Sequence, residues 1–411
     1  MLRTKKLIGL ILVASAAAVG LFAQSDVYMK IQTRGFQPVA LHIPPFASQS
    51  VKTAQDVRGV IRNDLDFSGF FRVSVEDFFP AAVVRLEGQM EVKDETIRGR
   101  FALFDIESAR KIFEEIYEEP VEAYRRLAHR ISDDVIQNLI GDYGVSTSQL
   151  AFVHKSNKTS TLVVMDYDGC NIRTVVSNRA LNLSPAFSPD GKRLVFTSYA
   201  TGNPDLFLCD LSSGQTGKFS QRKGLHISPS WSPDGKALAY AMMTEGNSDI
   251  YVISSHGGTP KRITSGPAID CAPSWSPDGR EIAFTSDRSG SPQIFIMDAD
   301  GGNVRRLTYS GSYNDSPSWS PRGDLIAYVT RDRGFRICTM DVTGGNFWQI
   351  SKGPGNQEDP CWSPDGFFIA YASSETGSWN IYITSWDGKR TRQLTKTGGF
   401  ISPAWSPRFS R

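Results

Sequence analysis

The chain has 411 residues, of which 40% are apolar, and a net charge of +2 from 45 Lys and Arg against 43 Asp and Glu. This length predicts two or more domains, and the balanced charge gives no support to nucleic-acid binding, for which a basic surface is typical. The five cysteines form no Cys-x-x-Cys pair and fall in different phases of a repeat. They indicate unpaired thiols, with neither a disulfide framework nor a metal site.

Residues 1–23 are typical of a signal peptide. Basic residues at the start are followed by an apolar run from Leu7 to Leu21, and Leu21-Phe22-Ala23 fits a cleavage site. The run is short for a membrane-spanning helix, and the alternative is an uncleaved anchor. In both cases we expect the folded part of the protein to lie outside the cytoplasm.

Residues 24–145 lack the repeat found later in the chain and predict a small α/β domain. Apolar residues at helical spacing predict a helix around residues 54–65 and a long amphipathic helix from near Pro120 to Gly141. Residues 83–92 and 96–106 predict a β-hairpin. His129 lies within the long helix, where a surface or packing role is favoured over catalysis. Residues 144–148 are interpreted as a linker.

The first residues of the mature chain form a candidate docking segment. Val27, Met29 and Ile31 alternate with polar neighbours, which predicts a strand with one buried face. Such a strand can pair with a sheet edge of this domain or of a partner. We therefore expect the segment from Gln24 to about Lys30 to contact a partner.

One motif organises the rest of the chain, and its most complete copy is Ser228-Pro-Ser-Trp-Ser-Pro-Asp-Gly235. Its central aromatic recurs every 43 or 44 residues. Six copies begin at Ser184, Ser228, Ala272, Ser316, Asp359 and Ser402. A period in the forties with four short strands per unit is typical of a propeller blade. Because every copy carries the aromatic, we expect it to form core between the blades.

The repeats also predict how the ring closes. The first unit, at about residues 149–178, has no motif strand before it, and the last motif, at residues 402–407, has no strand after it. The C-terminal strand is therefore expected to complete the first unit, which leaves no free sheet edge. The predicted fold class is mainly β, with a small α/β domain followed by a six-bladed β-propeller at residues 149–411.

Residues that precede the motif strands predict a binding site. In a propeller, the starts of the innermost strands crowd around one mouth of the central channel. The third to fifth copies bring acids there, and the first and last bring apolar residues; the acids are Asp270, Asp315, Glu358 and Asp359. Two interpretations stay open: ordinary loop acids in water, or a binding mouth that is acidic on one side and apolar on the other. Several carboxylates could also hold Ca²⁺ in the channel.

These residues resemble the TolB family, the periplasmic component of the Tol–Pal envelope system. The resemblance covers nearly the whole mature chain and includes the six motif copies with the ending Ala404-Trp-Ser-Pro407. In the N-terminal part it rests on Ile43-Pro-Pro-Phe46, Arg62-Asn-Asp-Leu65, Ser68-Gly-Phe-Phe-Arg72 and Arg126-Leu-Ala-His129. The joining of these segments to six blades is more specific than propeller repeats alone.

The resemblance implies a monomeric, non-catalytic protein of the periplasm that touches membranes only through its partners. The implied partners are a Pal-like peptidoglycan-associated lipoprotein at the propeller and a TolA-like inner-membrane protein at the mature N-terminus. The implied role is support of outer-membrane integrity and of cell division. By matching repeats, the family's binding residues fall at Leu225, Ser228 and Cys271. The predicted partner-binding mouth also includes His226, Asp270, Asn314, Asp315, Glu358 and Asp359.

The runner-up function is an exported propeller that binds or hydrolyses a small ligand, such as a glycan or a peptide, in its channel. The sequence contains no HExxH metal motif, no GxSxG nucleophile elbow and no P-loop. A peptidase of the propeller type would also need a hydrolase domain of a few hundred residues. We therefore expect neither catalysis nor a required cofactor.

Overall fold

The computed structural model describes residues 37–76, 79–156, 159–220, 222–244 and 246–409. The signal sequence of residues 1–23 and the docking segment with Val27, Met29 and Ile31 lie outside these residues. In the part of the chain that is described, no helix has the length and apolar character needed to cross a membrane.

The N-terminal domain packs two helices against a six-stranded mixed sheet. Its elements are β1 (Val39–His42), β2 (Ala47–Ser48), α1 (Val51–Ser68), β3 (Phe71–Ser74), β4 (Val84–Lys93), β5 (Thr96–Asp105), β6 (Lys111–Pro120), a 3₁₀ turn (Val121–Ala123) and α2 (Tyr124–Ile140). The strand order is β3-β1-β4-β5-β6, with β2 paired to β4. Strand β1 runs parallel to β3 and β4, and β4 to β6 form an antiparallel meander.

Both predicted helices and the predicted hairpin are confirmed. Helix α1 buries the apolar residues that have helical spacing and ends at Gly69, whose φ of 79° gives the left-handed C-cap that favours glycine. The hairpin of β4 and β5 turns at Asp94 and Glu95, both with positive φ. Strand β6 was not predicted, because it is an edge strand whose sequence, rich in glutamate, buries only Tyr117 and Glu119.

The propeller consists of six four-stranded antiparallel sheets. The first three propeller strands in the chain belong to blade six: β7 (Gln149–Ser156), β8 (Thr159–Asp166) and β9 (Arg173–Val176). Blade one holds β10 (Asn182–Phe187), β11 (Arg193–Ser198), β12 (Asp205–Asp210) and β13 (Thr216–Lys218), and blade two holds β14 (Leu225–Trp231), β15 (Ala237–Thr244), β16 (Asn247–Ser254) and β17 (Lys261–Arg262). Blade three holds β18 (Asp270–Trp275), β19 (Glu281–Ser286), β20 (Gln293–Asp298) and β21 (Arg305–Arg306), and blade four holds β22 (Asn314–Trp319), β23 (Leu325–Arg331), β24 (Phe335–Asp341) and β25 (Phe347–Gln349). Blade five holds β26 (Gln357–Trp362), β27 (Phe368–Ser373), β28 (Asn380–Ser385) and β29 (Thr391–Gln393), and β30 (Phe400–Trp405) follows.

The C-terminal strand closes the ring, as predicted. Strand β30 pairs with β7, so that blade six has the order β30-β7-β8-β9. The indole Nε1 of Trp405 donates a hydrogen bond of 2.7 Å to Ser148 Oγ, at the start of the propeller. Joining the two ends of the propeller chain in one sheet removes the free edges that an open array would expose.

The motif builds a turn and a core position in each blade. In the second copy, Ser232 Oγ donates to Asp234 Oδ1 at 2.7 Å, and the backbone N–H of Gly235 closes the turn on Ser232 O. The motif aromatics lie between adjacent blades, and five of them are 7–8% exposed: Phe187, Trp231, Trp319, Trp362 and Trp405. The predicted core role of the aromatics is therefore confirmed, with Trp275 less deeply buried than the rest.

The N-terminal domain lies against the face of the propeller that carries the motif turns. Phe67 stacks on Phe368 with ring centroids 5.0 Å apart, and Phe70 meets Phe367 edge-on at 5.0 Å. The residues interpreted as a linker are themselves packed, because buried Asp133 accepts hydrogen bonds from the backbone N–H groups of Ser146 and Thr147 at 2.9 and 3.0 Å. The channel mouth lies on the opposite face of the propeller, where the inner strands begin.

Candidate functional site

The inner strand of each blade begins at the mouth and carries a β-bulge. In β10, Leu183 pairs with Thr197 and Ala186 with Val195, so that Ser184 and Pro185 together oppose one residue. Proline fits here because it has no N–H to donate to the ladder. The residue before each of these prolines has a φ between 47° and 55°, which is uncommon outside glycine. These bulge residues are Ser184, Ser228, Ala272, Ser316, Asp359 and Ser402.

The bulge gives three successive positions at the start of every inner strand. The first position is buried and holds Asn182, His226, Asp270, Asn314, Gln357 and Phe400. The second, which we call the rim position, is partly exposed and holds Leu183, Ile227, Cys271, Asp315, Glu358 and Ile401. The third is the bulge position, which is also partly exposed. Of these three positions, the rim and bulge positions are the ones that can contact a molecule at the mouth.

Three predicted site residues are therefore removed from the accessible surface. His226, Asp270 and Asn314 are at most 1% exposed and hold neighbouring parts of the propeller together. His226 Nδ1 lies 3.1 Å from Asp205 Oδ1 of the preceding blade. Asn314 Nδ2 likewise donates to Gln293 Oε1 of the preceding blade at 2.9 Å. The carboxylate of Asp270 accepts from the Arg288 guanidinium at 2.9 and 3.0 Å. The expectation that these side chains face a partner is wrong.

The fifth copy places two acids at accessible positions of the mouth. Gln357 occupies the buried position of blade five. Glu358 therefore lies at the rim and Asp359 at the bulge. Both carboxylates of blade five are partly exposed.

Around the ring, the rim residues divide into two arcs. The inner strands of successive blades contact one another in chain order, and β30 contacts β10. Blades six, one and two contribute the apolar arc of Ile401, Leu183 and Ile227. Blades four and five contribute the acidic arc of Asp315, Glu358 and Asp359. Cys271 of blade three lies between the arcs, so the mouth has an apolar side and an acidic side.

The acidic arc is held in place by hydrogen bonds between blades. Asp315 Oδ1 accepts from Thr285 Oγ1 of blade three at 2.8 Å, and Asp315 Oδ2 accepts from the Tyr313 hydroxyl at 2.8 Å. Asp359 Oδ2 accepts from Ser402 Oγ of blade six at 2.9 Å. Because neighbouring blades fix these carboxylates, their positions depend on the closed ring.

Burial and mutual repulsion change the titration of this arc. Partial burial, with the nearby Asp359 and Asp315 carboxylates, raises the pKa of Glu358 to about 7, and Lys155 opposes the shift. Burial also raises the pKa of Asp359, while a hydrogen bond from Ser402 opposes it. The negative charge of the mouth therefore changes near neutral pH.

The residues implied by family resemblance lie beside these arcs. Leu225, Ser228 and Cys271 are each partly exposed, with Ser228 at a bulge position and Cys271 at the rim. Burial, together with Asp315 and Asp270, raises the pKa of the Cys271 thiol to about 12, so this side chain is a neutral, weakly polar group. These three residues and the two arcs form the accessible mouth.

Sequence reasoning missed the residues that support the acidic arc. Tyr313 lies two residues before Asp315, on the same side of an extended chain, and this spacing could have identified it. Thr285, Ser402 and Lys155 come from other blades and approach the arc only through the ring. No local pattern in the sequence indicates them.

Among the residues that the structure describes, the group of three whose ligand atoms lie within 4.8 Å of one another is His129, Asp166 and Asp168, near the domain interface and away from the mouth. The accessible mouth offers carboxylates, hydroxyls, a neutral thiol and aliphatic side chains, a composition suited to binding a surface that is partly apolar and partly cationic.

The fold and the mouth define the class of protein: a six-bladed β-propeller preceded by an α/β domain, with a partly apolar, partly acidic surface at one end of the channel. The family model described as the TolB beta propeller domain matches residues 136–409, and the model described as the TolB amino-terminal domain matches residues 27–96. The chain therefore belongs to the TolB family of the Tol–Pal system.

Individual relatives agree with this assignment. The crystal structure of TolB from Acinetobacter baumannii superposes with a TM-score of 0.81 at 29% identity, covering 90% of this chain and 97% of that chain. The Tol-Pal system protein TolB of Dinoroseobacter shibae is 32% identical over 204 residues, 43% of this chain and 46% of the relative. That of Cereibacter sphaeroides is 31% identical over 241 residues, 52% of this chain and 54% of the relative. The chain spans about half the length of these curated relatives.

Proposed function

We propose that this chain is a non-catalytic, periplasmic scaffold that binds a Pal-like lipoprotein at the propeller mouth. The observation that carries the proposal is the division of the rim into an apolar arc and an acidic arc. A partner segment with an apolar side and a basic or amide-rich side would complement both arcs at once. Membership of the TolB family supports a role within a Tol–Pal system.

The two arcs are expected to contribute differently to binding. The apolar arc of Leu183, Ile227 and Ile401 supplies surface whose burial provides most of the affinity. The carboxylates of Asp315, Glu358 and Asp359 lose hydration when a partner covers them, and this cost offsets much of their attraction. Their main effect is therefore on the rate of association and on the choice of partner.

The proposed function requires no cofactor. The acidic arc would nevertheless attract Ca²⁺, which prefers several oxygen ligands. A cation at the arc would compete with a cationic partner segment, so millimolar Ca²⁺ is expected to weaken binding of the lipoprotein. Calorimetry of the partner titration with and without Ca²⁺ tests this point.

A second contact is proposed for the mature N-terminus. The alternation of Val27, Met29 and Ile31 suits a strand that adds to a sheet edge of a TolA-like inner-membrane protein. Through both contacts the chain would support outer-membrane integrity and cell division. Removing residues 24–30 is expected to abolish binding of the inner-membrane partner and to preserve binding of the lipoprotein. Equal loss of both interactions would contradict a separate docking segment.

Site-specific cross-linking tests the location of the lipoprotein site. A photoreactive amino acid at Leu183, in the apolar arc, is expected to cross-link to the soluble domain of the Pal-like lipoprotein from the same organism. The same group at Lys236, an exposed residue of a motif turn on the other face, is the control. Cross-links from Lys236 alone would place the binding site on the face of the motif turns and contradict the proposal. Saturable binding or turnover of a glycan or peptide in the channel would favour the small-ligand alternative.

A further inference from the structure

A polar cluster joins the N-terminal domain to blade six, away from the mouth. The ring of His129 on α2 is 3% exposed, and its Nδ1 lies 2.8 Å from Asp64 Oδ2 on α1. The second oxygen of Asp64 accepts a hydrogen bond of 2.7 Å from the Tyr167 hydroxyl of blade six. Asp64 is 1% exposed, so both of its oxygens are used inside the protein.

The other ring nitrogen of His129 has no hydrogen-bond partner. A His129 ring nitrogen and one carboxylate oxygen each of Asp166 and Asp168 lie within 4.8 Å of one another. Because Nδ1–H is directed at Asp64, Nε2 is the nitrogen that remains free for these carboxylates. A nitrogen lone pair beside two carboxylates is unfavourable unless a cation lies among them.

We propose that His129 Nε2 and the carboxylates of Asp166 and Asp168 bind a divalent transition-metal ion, for which Zn²⁺ is the natural probe. One imidazole and two carboxylates are ligand types that Zn²⁺ accepts. In a tetrahedral site, ligand atoms about 2.0–2.2 Å from zinc lie about 3.3–3.6 Å apart, so small side-chain rotations from the present spacing suffice. A fourth position is left to water.

The surroundings of the cluster match those of a metal ligand. A histidine bound to a metal usually donates its other N–H to a carboxylate, which fixes the ring and its tautomer. Asp64 occupies that place, and Tyr167 in turn orients Asp64. This arrangement sets Nε2 as the lone-pair nitrogen without any further change in the structure.

The charge of the cluster also suits a divalent ion. Asp168 forms an ion pair with Arg125 of α2, and Asp166 accepts from the side-chain amides of Gln149 at 3.2 Å and Asn171 at 2.6 Å. With a neutral imidazole, the carboxylates of Asp64, Asp166 and Asp168 and the guanidinium of Arg125 give a net charge of −2. A divalent cation neutralises this charge and would tie the N-terminal domain to the propeller.

The alternative cation is a proton on Nε2, which would make His129 an imidazolium that binds no metal. Burial lowers the pKa of His129, but the Asp64 carboxylate outweighs burial and the pKa is raised. A proton or a divalent ion would balance the charge of the same carboxylates. Direct metal titration distinguishes the two cases, because metal binding requires the deprotonated nitrogen.

The test uses the full mature chain after treatment with a chelator. We expect Zn²⁺ to bind saturably with one ion per chain in calorimetry and to raise the midpoint of thermal unfolding by several degrees. Replacement with Co²⁺ is expected to give visible absorption typical of a nitrogen and oxygen ligand set. Asp166→Asn, at a partly exposed position, should weaken Zn²⁺ binding by at least tenfold and abolish the Co²⁺ spectrum.

The matched control is Asp210→Asn, because Asp210 ends the third strand of blade one as Asp166 ends the corresponding strand of blade six. This control should bind Zn²⁺ like the unchanged chain. His129→Gln provides a second test, and if that variant does not fold, Asp166→Asn decides alone. Absence of saturable Zn²⁺ binding, or binding unchanged in Asp166→Asn, would overturn the proposal and leave a proton as the cation.

Discussion

At the scale of single residues, a difference of one position along the inner strand determines whether a side chain packs inside the propeller or faces a partner. Asp270 and Glu358 are both acids near the start of an inner strand, yet Asp270 is buried in an ion pair with Arg288 and Glu358 is partly exposed at the rim. The bulge creates this difference, because it adds one residue and changes the direction of the side chains around it. Charge alone therefore does not identify a mouth residue.

Replacement of Glu358 by glutamine should change how stability depends on pH. The pKa of Glu358 is raised from 4.5 to about 7, first by burial and then by Asp359. The folded chain therefore holds a proton that the unfolded chain releases between about pH 4.5 and pH 7, so this residue lowers stability as the pH rises through that window. Glu358→Gln should remove this contribution and stabilise the protein at pH 8 by about 1–2 kcal/mol, after allowance for solvent screening.

Urea unfolding of both proteins at pH 5 and pH 8 measures the difference. The stabilisation should be present at pH 8 and small at pH 5, where Glu358 is protonated in the folded state. The exposed Glu107→Gln of the N-terminal domain is the control and should show no such difference between the two pH values. A pH-independent effect of Glu358→Gln would mean that the carboxyl is not desolvated as described.

At the scale of elements, the segment between the domains is a packed connection. Asp133 of α2 accepts from the N–H groups of Ser146 and Thr147 and from the Thr147 hydroxyl at 2.7 Å. Asp133→Ala leaves buried N–H groups without an acceptor and should cost about 2–4 kcal/mol of unfolding free energy. Denaturant unfolding measures this loss. Asn138→Ala, at an exposed position of the same helix, should cost less than about 1 kcal/mol, and equal losses would contradict the role of Asp133.

The closing strand offers a second test at this scale. Trp405 of β30 is 8% exposed and packs in the cluster shared by blades five and six, whereas Trp348 on the outer strand of blade four is 44% exposed. Trp405→Ala should destabilise the protein by about 3–5 kcal/mol, because it opens a cavity where the ring closes. Trp348→Ala should change stability by no more than about 1 kcal/mol. If both variants had the same melting temperature, closure through β30 would not contribute to stability as described.

The sequence predicted those features that depend on local period and on repetition. The spacing of the motif aromatics predicted the blades, the incomplete units at the two ends of the array predicted their closure, and apolar spacing predicted α1 and α2. It did not predict which mouth residues are buried, because the pairing of Asp270 with Arg288 or of His226 with Asp205 depends on contacts between strands. The cluster of Asp64, His129 and Tyr167 joins residues far apart in the chain, and no periodicity relates them.

At the scale of the whole molecule, the two faces of the propeller have different tasks. The turn face carries the N-terminal domain over blades five and six, through Phe67, Phe70 and their propeller partners Phe367 and Phe368. The mouth face presents the apolar and acidic arcs. Because the net charge of the chain is only +2, the field at the mouth arises from the local acidic arc and not from the protein as a whole.

The central claim is that a protein partner docks on the mouth, and association kinetics test it most directly. Rates would be measured between the full mature chain and the soluble domain of the Pal-like lipoprotein from the same organism, over a range of salt concentrations. The test variant combines Asp315→Asn, Glu358→Gln and Asp359→Asn, and the control combines Lys192→Gln and Lys236→Gln on the turn face. Exposed charges are screened over about 8 Å at physiological ionic strength, so steering by the acidic arc should weaken as salt is added.

We expect the mouth variant to associate about 3–10-fold more slowly at low salt, with a flatter dependence on salt, while its melting temperature stays within a few degrees of the unchanged chain. The turn-face control should associate at the original rate. Slower association of the control together with an unchanged rate for the mouth variant would contradict docking at the mouth and move the binding site to the opposite face.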